Sequence, residues 1–174
     1  MDKRMLYSRW INTLNANANS IAVVDLQAGK KLTFSELNAL LQAKPGIEGP
    51  IVGDGAGVDF IIKTLWAWRE KVPFLPIDGG STLKMDLSNG IPDGVAHIKQ
   101  TSGTTGEPRM VLFTDEQLQA DADQIVDSMK LNLCECNIGI ISVAHSYGFS
   151  NLILPLLLHG IPLILCADPL PQTL

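Results

Sequence analysis

The sequence predicts an α/β fold in which a layered sheet is flanked by helices. Hydrophobic residues make up 46% of the 174 residues and charged residues only 18%, a composition that favours strands buried on both faces. Short apolar runs alternate with longer stretches whose apolar residues recur at helical spacing. At this length we expect one domain, residues 1–174, that buries about 70% of the surface of its unfolded chain.

The first part of the chain alternates between helix and strand patterns. Trp10 and Leu14 indicate a first helix, and residues 21–24 have the character of a strand. Thr33 and Glu36 have the spacing of a capping box, which predicts the start of a second helix. Three leucines follow at helical spacing and are expected to face the core: Leu37, Leu40 and Leu41.

Residues 51–57 are rich in glycine and invite comparison with a dinucleotide-binding loop. That fingerprint requires glycine where Val58 stands, so a tight turn from strand to helix is favoured. We expect the next helix to run from about Val58 to Glu70 and to be buried over a wide face. A further short strand is expected at 72–78. The apolar face of the helix comprises Phe60, Ile61, Ile62, Leu65, Trp66 and Trp68.

Residues 101–109, Thr-Ser-Gly-Thr-Thr-Gly-Glu-Pro-Arg, lie between strand-like runs at 95–100 and 110–113. The two glycines, Gly103 and Gly106, let a backbone approach an anion closely, and successive N–H groups in such turns form an anion-binding concavity. The stretch therefore predicts a phosphate-binding loop, although an ordinary Ser/Thr/Gly loop is the alternative. The spacing excludes a P-loop. The candidate side-chain donors are Thr101, Ser102, Thr104, Thr105 and Arg109.

The region after this loop predicts a scaffold helix and then a second candidate site. Thr114 and Gln117 form another capping box. Residues 138–143 predict a buried strand that leads into His145, and the carboxyl ends of such strands are where open α/β sheets bind ligands. His159, before Gly160, is expected at a helix end, followed by a strand at 162–165. The stripe of the scaffold helix comprises Leu118, Ala122, Ile125, Val126 and Met129.

Charge and cysteine content exclude several classes of protein. The net charge of −5, without a cluster of basic residues, argues against nucleic-acid binding. The apolar run 149–165 contains Asn151, His159 and two prolines, so no membrane span is expected. The odd number of cysteines and the lack of a signal core predict a cytoplasmic protein with reduced thiols. No metal site is expected, because zinc spacing is lacking at Cys134, Cys136 and Cys166.

Residues 101–109 resemble the TSGTTGxPK signature of the adenylate-forming superfamily, which includes acyl-CoA synthetases, peptide-synthetase adenylation domains and luciferases. Arg109 stands where lysine is usual and Met110 where glycine is usual. Two earlier stretches are similar to family motifs in the same order: 32–37 to LTYxEL, and 67–78 to LKAGxAYVPID with lysine replacing its glycine. Residues 145–149, His-Ser-Tyr-Gly-Phe, match acyl-CoA-synthetase-like members.

The resemblance implies an ATP-dependent acid ligase that forms an acyl-adenylate. It implies that the loop 101–109 binds the phosphates of ATP with Mg²⁺, and that His145 orients the carboxylic acid or assists its attack. Tyr147 and Phe149 would shape the acyl pocket. The acceptor would be CoA or the phosphopantetheine of an acyl-carrier protein, and fatty and aryl acids are the candidate substrates.

The resemblance covers only the N-terminal part of the adenylate-forming fold. The family's YGxTE motif, ribose-binding aspartate and catalytic lysine are not found before Leu174. We therefore expect a partial domain without the C-terminal domain, which alone would not turn over. The alternative is a truncated, non-catalytic module that binds a nucleotide, a phosphate or a protein partner. The sequence specifies neither the acid nor the oligomeric state.

Overall fold

The computed structural model describes residues 5–54, 57–77, 90–100 and 109–166. Its helices are α1 (Met5–Asn17), α2 (Phe34–Gln42), α3 (Val58–Glu70), α4 (Asp115–Ser128), α5 (Ser146–Gly148) and α6 (Leu154–His159). Its strands are β1 (Ile21–Asp25), β2 (Lys30–Thr33), β3 (Ile51–Asp54), β4 (Phe74–Ile77), β5 (Val95–Gln100), β6 (Met110–Thr114), β7 (Asn137–Gly139) and β8 (Leu163–Leu165). A 3₁₀ turn, Leu131–Leu133, follows α4, and a π-helical turn, Phe149–Ile153, joins α5 to α6.

Within the described residues the strands form two sheets of four strands each. The first has the order β2-β1-β8-β7, in which β1, β8 and β7 are parallel and β2 is antiparallel to β1. The second has the order β3-β4-β5-β6, in which β3, β4 and β5 are parallel and β6 is antiparallel to β5. The predicted α/β fold with flanking helices is confirmed.

Both predicted capping boxes are present and begin α2 and α4. The backbone N–H of Glu36 donates to Thr33 Oγ1 at 3.2 Å, and the N–H of Thr33 donates to Glu36 Oε2 at 2.7 Å. Thr114 and Gln117 make the same reciprocal pair. The predicted burial of Leu40 and of Met129 is wrong, because both side chains are exposed. Helix α2 meets the core through Leu37 and Leu41, one turn apart, which turns Leu40 outward.

The predicted buried strand at 138–143 is wrong. Strand β7 ends at Gly139 because it lies at the edge of its sheet and pairs with β8 over three residues only. Beyond that point the chain leaves the sheet, and Ile138, Ile140 and Ile141 are exposed. Edge strand β6 is exposed as well, so the expectation that strands are buried on both faces fails at these two edges.

Helices α5 and α6 and the π-helical turn form one helical segment, 146–159, which ends at Gly160 as predicted. Pro155 has no N–H to donate to the carbonyl of Asn151, four residues earlier. Asn137 of β7 supplies the missing donor, because its Nδ2 lies 2.8 Å from Asn151 O. This bond ties the helical segment to the first sheet. In the described part of the chain, no helix has the length and apolar character needed to cross a bilayer.

An aromatic cluster packs the same helical segment against the second sheet. Phe74, His97 and Phe113 are register partners on β4, β5 and β6, and form a row across the sheet. Phe149 lies against this row, with its ring centroid 4.2 Å from that of His97 and 6.1 Å from that of Phe74. Phe60 of α3 completes the cluster with an edge-on contact to Phe74. The cluster places the residues after His145 against β5.

His97 is a polar side chain inside this apolar cluster. It is fully buried, and neither ring nitrogen has a hydrogen-bond partner among the described residues. Burial lowers the pKa of His97 well below its ordinary value of 6.5, and repulsion from Lys99 acts in the same direction. The folded protein therefore holds a neutral imidazole at neutral pH.

We predict that His97 makes the protein less stable as the pH falls below about 6.5. In this range the unfolded chain protonates His97 and the folded chain does not, so the stabilisation present above the unfolded pKa is lost on acidification. One such group can change the free energy of unfolding by at most about 1.4 kcal/mol per pH unit. Denaturant unfolding of the wild type and of His97→Gln, followed between about pH 7.5 and 5, measures this slope.

The variant should show a shallower pH dependence of the free energy of unfolding. Burial also lowers the pKa of His159, so His159 changes stability with pH in the same direction. Because His159 is present in both proteins, its contribution cancels in the comparison. Parallel pH profiles of the two proteins would contradict the prediction.

Candidate functional site

The predicted phosphate-binding loop connects two strands that lie side by side. Strand β5 ends at Gln100, β6 begins at Met110, and these two residues are register partners. The flanking strands predicted from the sequence are thus confirmed. Thr101, Ser102, Gly103, Thr104, Thr105 and Gly106 lie outside the described residues. Arg109 is described, and it is an exposed residue directly before β6.

His145 lies at the start of the helical segment, where backbone hydrogen bonds fix its main chain. Its N–H donates to Ser142 O at 3.3 Å, and its carbonyl accepts from Phe149 N–H at 2.8 Å. A Cβ on Gly148 would collide with the carbonyl oxygen of Ser142, so only glycine lets the turn pack this closely on the helix. His145 is exposed at the surface.

The two predicted pocket residues have different environments. Tyr147 is 64% exposed, whereas Phe149 is fully buried in the aromatic cluster. The carbonyl of Tyr147 accepts a hydrogen bond from Asn151 Nδ2 at 2.9 Å. The structure therefore places His145 and Tyr147 on the surface and uses Phe149, one helical turn after His145, to anchor them to the second sheet.

Lys99 was not predicted as a site residue. It lies on the strand before residues 101–109 and contacts the helical segment that follows His145. It precedes the loop by two residues, and its Nζ lies 5.8 Å from the ring centroid of Phe149 and 5.1 Å from that of Phe113. Burial lowers the pKa of Lys99, while the carboxylate of Asp121 on α4 acts in the opposite direction. The loop and the His145 segment are therefore connected through Lys99 and Phe149.

A signal for this residue was present in the strand pattern. Side chains two apart on a strand leave the same face of the sheet. His97 and Lys99 share one face of β5, in the part of the strand that follows the irregularity between Val95 and His97. Two basic residues on one face of a strand that leads into a predicted anion-binding loop indicate a face with a polar function.

One cavity lies beside the first residues of β5, at the opposite end of the strand from Gln100. It has a volume of about 510 Å³ and is lined by Lys71, Asp93, Val95 and Glu116 among others. A strand of six residues separates this cavity from the loop by roughly 17 Å. The position of this cavity does not support a shared role of the cavity and the loop in binding a ligand.

A smaller cavity of about 360 Å³ lies at the carboxyl ends of β1, β7 and β8 and includes Asp25, Gly139 and Cys166. Neither cavity is lined by Arg109, His145, Tyr147 or Phe149. Of the predicted site residues that the structure describes, Arg109, His145 and Tyr147 are exposed and Phe149 lies in the core.

His159 has a structural environment, as the sequence predicted for a helix-end residue. It is the last residue of α6, and its Nε2 lies 2.9 Å from Asp123 Oδ1 and 2.7 Å from Arg9 Nη2. Arg9 Nε also donates to the carbonyl of Leu158 at 3.2 Å. This network ties α1 and α4 to the end of α6.

Among the described residues, Cys134, Cys136 and Cys166 form no disulfide. In the ranges that the structure describes, no group of three or more His, Cys, Asp or Glu side chains is arranged to hold a metal ion.

No protein-family model and no curated protein matches the chain. Solved structures do match it. ATP-bound MatB from Rhodopseudomonas palustris has a TM-score of 0.74 at 16% identity over 95% of this chain and 45% of that one. A long-chain-fatty-acid-CoA ligase from Archaeoglobus fulgidus has a TM-score of 0.72 at 16% identity over 93% of this chain and 47% of that one.

The N-terminal subdomain of NpsA from Klebsiella oxytoca, in complex with 3-hydroxyanthranilyl-AMSN, has a TM-score of 0.69 at 18% identity. The alignment covers 96% of this chain and 54% of that one, so the chain spans about half the length of the structures it matches. These structures are of adenylate-forming ligases of the acyl-CoA synthetase kind. The chain therefore has the fold of the N-terminal portion of the adenylate-forming ligases.

Proposed function

We propose that this chain supplies the ATP-phosphate-binding and acid-binding elements of an AMP-forming acid–thiol ligase. The observation that carries the proposal is the position of residues 101–109 in this fold. A Thr/Ser/Gly-rich segment ending in Arg109 connects adjacent strand ends of the second sheet. Backbone N–H groups, hydroxyls and a guanidinium together form a set of donors suited to phosphate oxygens.

In the proposed reaction, a carboxylate oxygen of the acid attacks the α-phosphorus of ATP. The bond from the α-phosphorus to the bridging oxygen breaks, and pyrophosphate leaves as the acyl-adenylate forms. A thiol of CoA, or of the phosphopantetheine of a carrier protein, then attacks the acyl carbon and displaces AMP. The protein's task in the first step is to position two anions in line and to offset their charge.

Each candidate residue has a role in this scheme. Thr101, Ser102, Thr104, Thr105 and Arg109 bind the β- and γ-phosphates, with Gly103 and Gly106 allowing close approach of the backbone. His145 orients the carboxylate of the acid, and Tyr147, exposed next to it, contacts the rest of the acid. Phe149 is buried and acts by packing, which holds the start of the helix against β5.

Mg²⁺ would arrive bound to the phosphates of ATP, whose charge it offsets. The described side chains offer no metal-binding group of their own, and the hydroxyls of the loop are the residue types that would complete the coordination of a phosphate-bound Mg²⁺. The organic part of the acid is a fatty or aryl group, in line with a surface on which Tyr147 is available for apolar contact.

We predict that Ser102→Ala combined with Thr104→Ala weakens binding of pyrophosphate and of Mg²⁺-ATP by about 100-fold or more, because two charged hydrogen bonds of about 1.5–3 kcal/mol each are removed. Isothermal titration calorimetry of the chain measures the loss. Ser128→Ala is the matched control, since its hydroxyl donates to Ile125 O on the exposed end of α4. Unchanged binding in the double variant would refute the phosphate-binding loop.

We predict that His145→Gln separates the two binding functions. Its affinity for pyrophosphate should stay within about twofold of wild type, whereas binding of octanoate or benzoate in the presence of AMP should weaken by about tenfold, the loss of one charged hydrogen bond. Calorimetric titration measures both affinities. Tyr147→Phe, which keeps the ring and removes only the hydroxyl, serves as the comparison.

An equal loss of pyrophosphate and acid affinity in His145→Gln would contradict its assignment to the acid. If the variant keeps the wild-type affinities for both pyrophosphate and the acid, His145 has no role in binding.

A further inference from the structure

We propose that the cavity at the carboxyl ends of β1, β8 and β7 is a binding site for a small organic amine, held as an ammonium ion by the carboxylate of Asp25. The cavity has a volume of about 360 Å³, and small-molecule sites occupy roughly 300–1,000 Å³. None of the described residues proposed to bind phosphate or acid lines it, so the inference is independent of the proposed function.

One wall of the cavity is formed by the last residues of three parallel strands. Asp25 ends β1, Leu165 ends β8 and Gly139 ends β7, and all three line the cavity. They are register partners, so they form a row across the end of the first sheet. Crevices outside the carboxyl ends of parallel strands are where open α/β sheets bind ligands.

Asp25 is the charged residue of this row, and its two carboxylate oxygens have different environments. The residue is only 8% exposed, and its Oδ1 accepts the backbone N–H of Ala28 at 3.0 Å. Among the described residues, Oδ2 has no hydrogen-bond or ion-pair partner. It is not one of the side-chain atoms that are sealed in the core without a partner, so Oδ2 is reached from accessible space.

Gly57 shows where this oxygen lies. It is another lining residue of the cavity, with a φ of +79°. A Cβ at this position would lie 2.7 Å from Asp25 Oδ2, so glycine provides both the backbone conformation and the space for the carboxylate. The unpartnered oxygen therefore lies between two residues of the cavity wall.

The other lining residues define the rest of the ligand. Ala28, Ile141, Val143 and Leu165 present hydrocarbon, and Asp25 carries the sole formal charge among the described residues that line the cavity. An ionised carboxylate accepts hydrogen bonds and cannot donate them, and charged donors form the stronger bonds with it. Primary amines are protonated at neutral pH. An amine with a small apolar body, such as a single ring or a short alkyl chain, therefore matches the cavity.

A purely structural role of Asp25 is the competing account. Its bond to Ala28 shapes the turn between β1 and β2. The positive end of α3, which begins directly after Gly57, also favours a negative charge at this place. Asp25→Asn separates the two accounts, because asparagine keeps an oxygen that accepts from Ala28 and replaces Oδ2 with an amide nitrogen that cannot accept.

Asp127→Asn is the matched control. Asp127 is an exposed residue near the end of α4 and does not line the cavity. The control therefore makes the same substitution, with the same change in net charge, away from the proposed site.

The experiment is an NMR titration of ¹⁵N-labelled wild type, Asp25→Asn and Asp127→Asn with cyclohexylammonium at neutral pH. In the wild type we expect saturable shifts of the amide resonances of Ala28 and Cys166, since both residues line the cavity. Asp25→Asn should lose about tenfold or more in affinity, the effect of one charged hydrogen bond, and Asp127→Asn should stay within about twofold. Cyclohexanol and cyclohexanecarboxylate, which present the same ring without the positive charge, should bind the wild type about tenfold more weakly or less.

The absence of saturable shifts at Ala28 and Cys166 in the wild type would overturn the inference and leave the proposed function intact. Unchanged affinity in folded Asp25→Asn would do the same, as would cyclohexanecarboxylate binding as tightly as cyclohexylammonium. If Asp25→Asn does not fold, the comparison of the three probes on the wild type replaces it. Cyclohexanol binding as tightly as cyclohexylammonium would then overturn the inference.

Discussion

The packing of Phe149 on His97 is the contact on which the arrangement of the site depends. The first ring follows His145 in the helical segment, and the second lies on the strand that leads into residues 101–109. These positions are about 50 residues apart in sequence, and the contact between the two tilted rings brings them together in the fold. At the other side of the same segment, Asn137 binds the carbonyl that Pro155 cannot use. The start of the helix is thus held by both sheets.

The same contact explains why basic groups occur inside an apolar cluster. Neutral His97 contacts Phe74 and Phe149 with its ring tilted against both, and the ammonium group of Lys99 lies over the rings of Phe149 and Phe113. Burial of these two basic groups opposes folding, because burial disfavours their charged forms. The strand that carries them ends at the loop proposed to bind phosphate.

Most of the fold could be predicted from local sequence patterns. The capping boxes at Thr33 and Thr114 and the strands around residues 101–109 rest on interactions between near neighbours, and such signals are visible in the sequence. The exposure of Ile140 and Ile141 could not be predicted, because apolar character does not reveal which strand lies at the edge of a sheet. The candidate site followed from motif resemblance, whereas the contact between Lys99 and Phe149 joins residues far apart in sequence and no local pattern encodes it.

The central claim is that nucleotide phosphates bind where β5 passes into β6. A crystal structure of the chain grown with Mg²⁺-ATP tests it most directly. The account predicts that the β- and γ-phosphates lie within hydrogen-bond distance of residues 101–109. A nucleotide bound elsewhere, such as in the cavity beside Lys71 and Glu116 at the other end of β5, would contradict it.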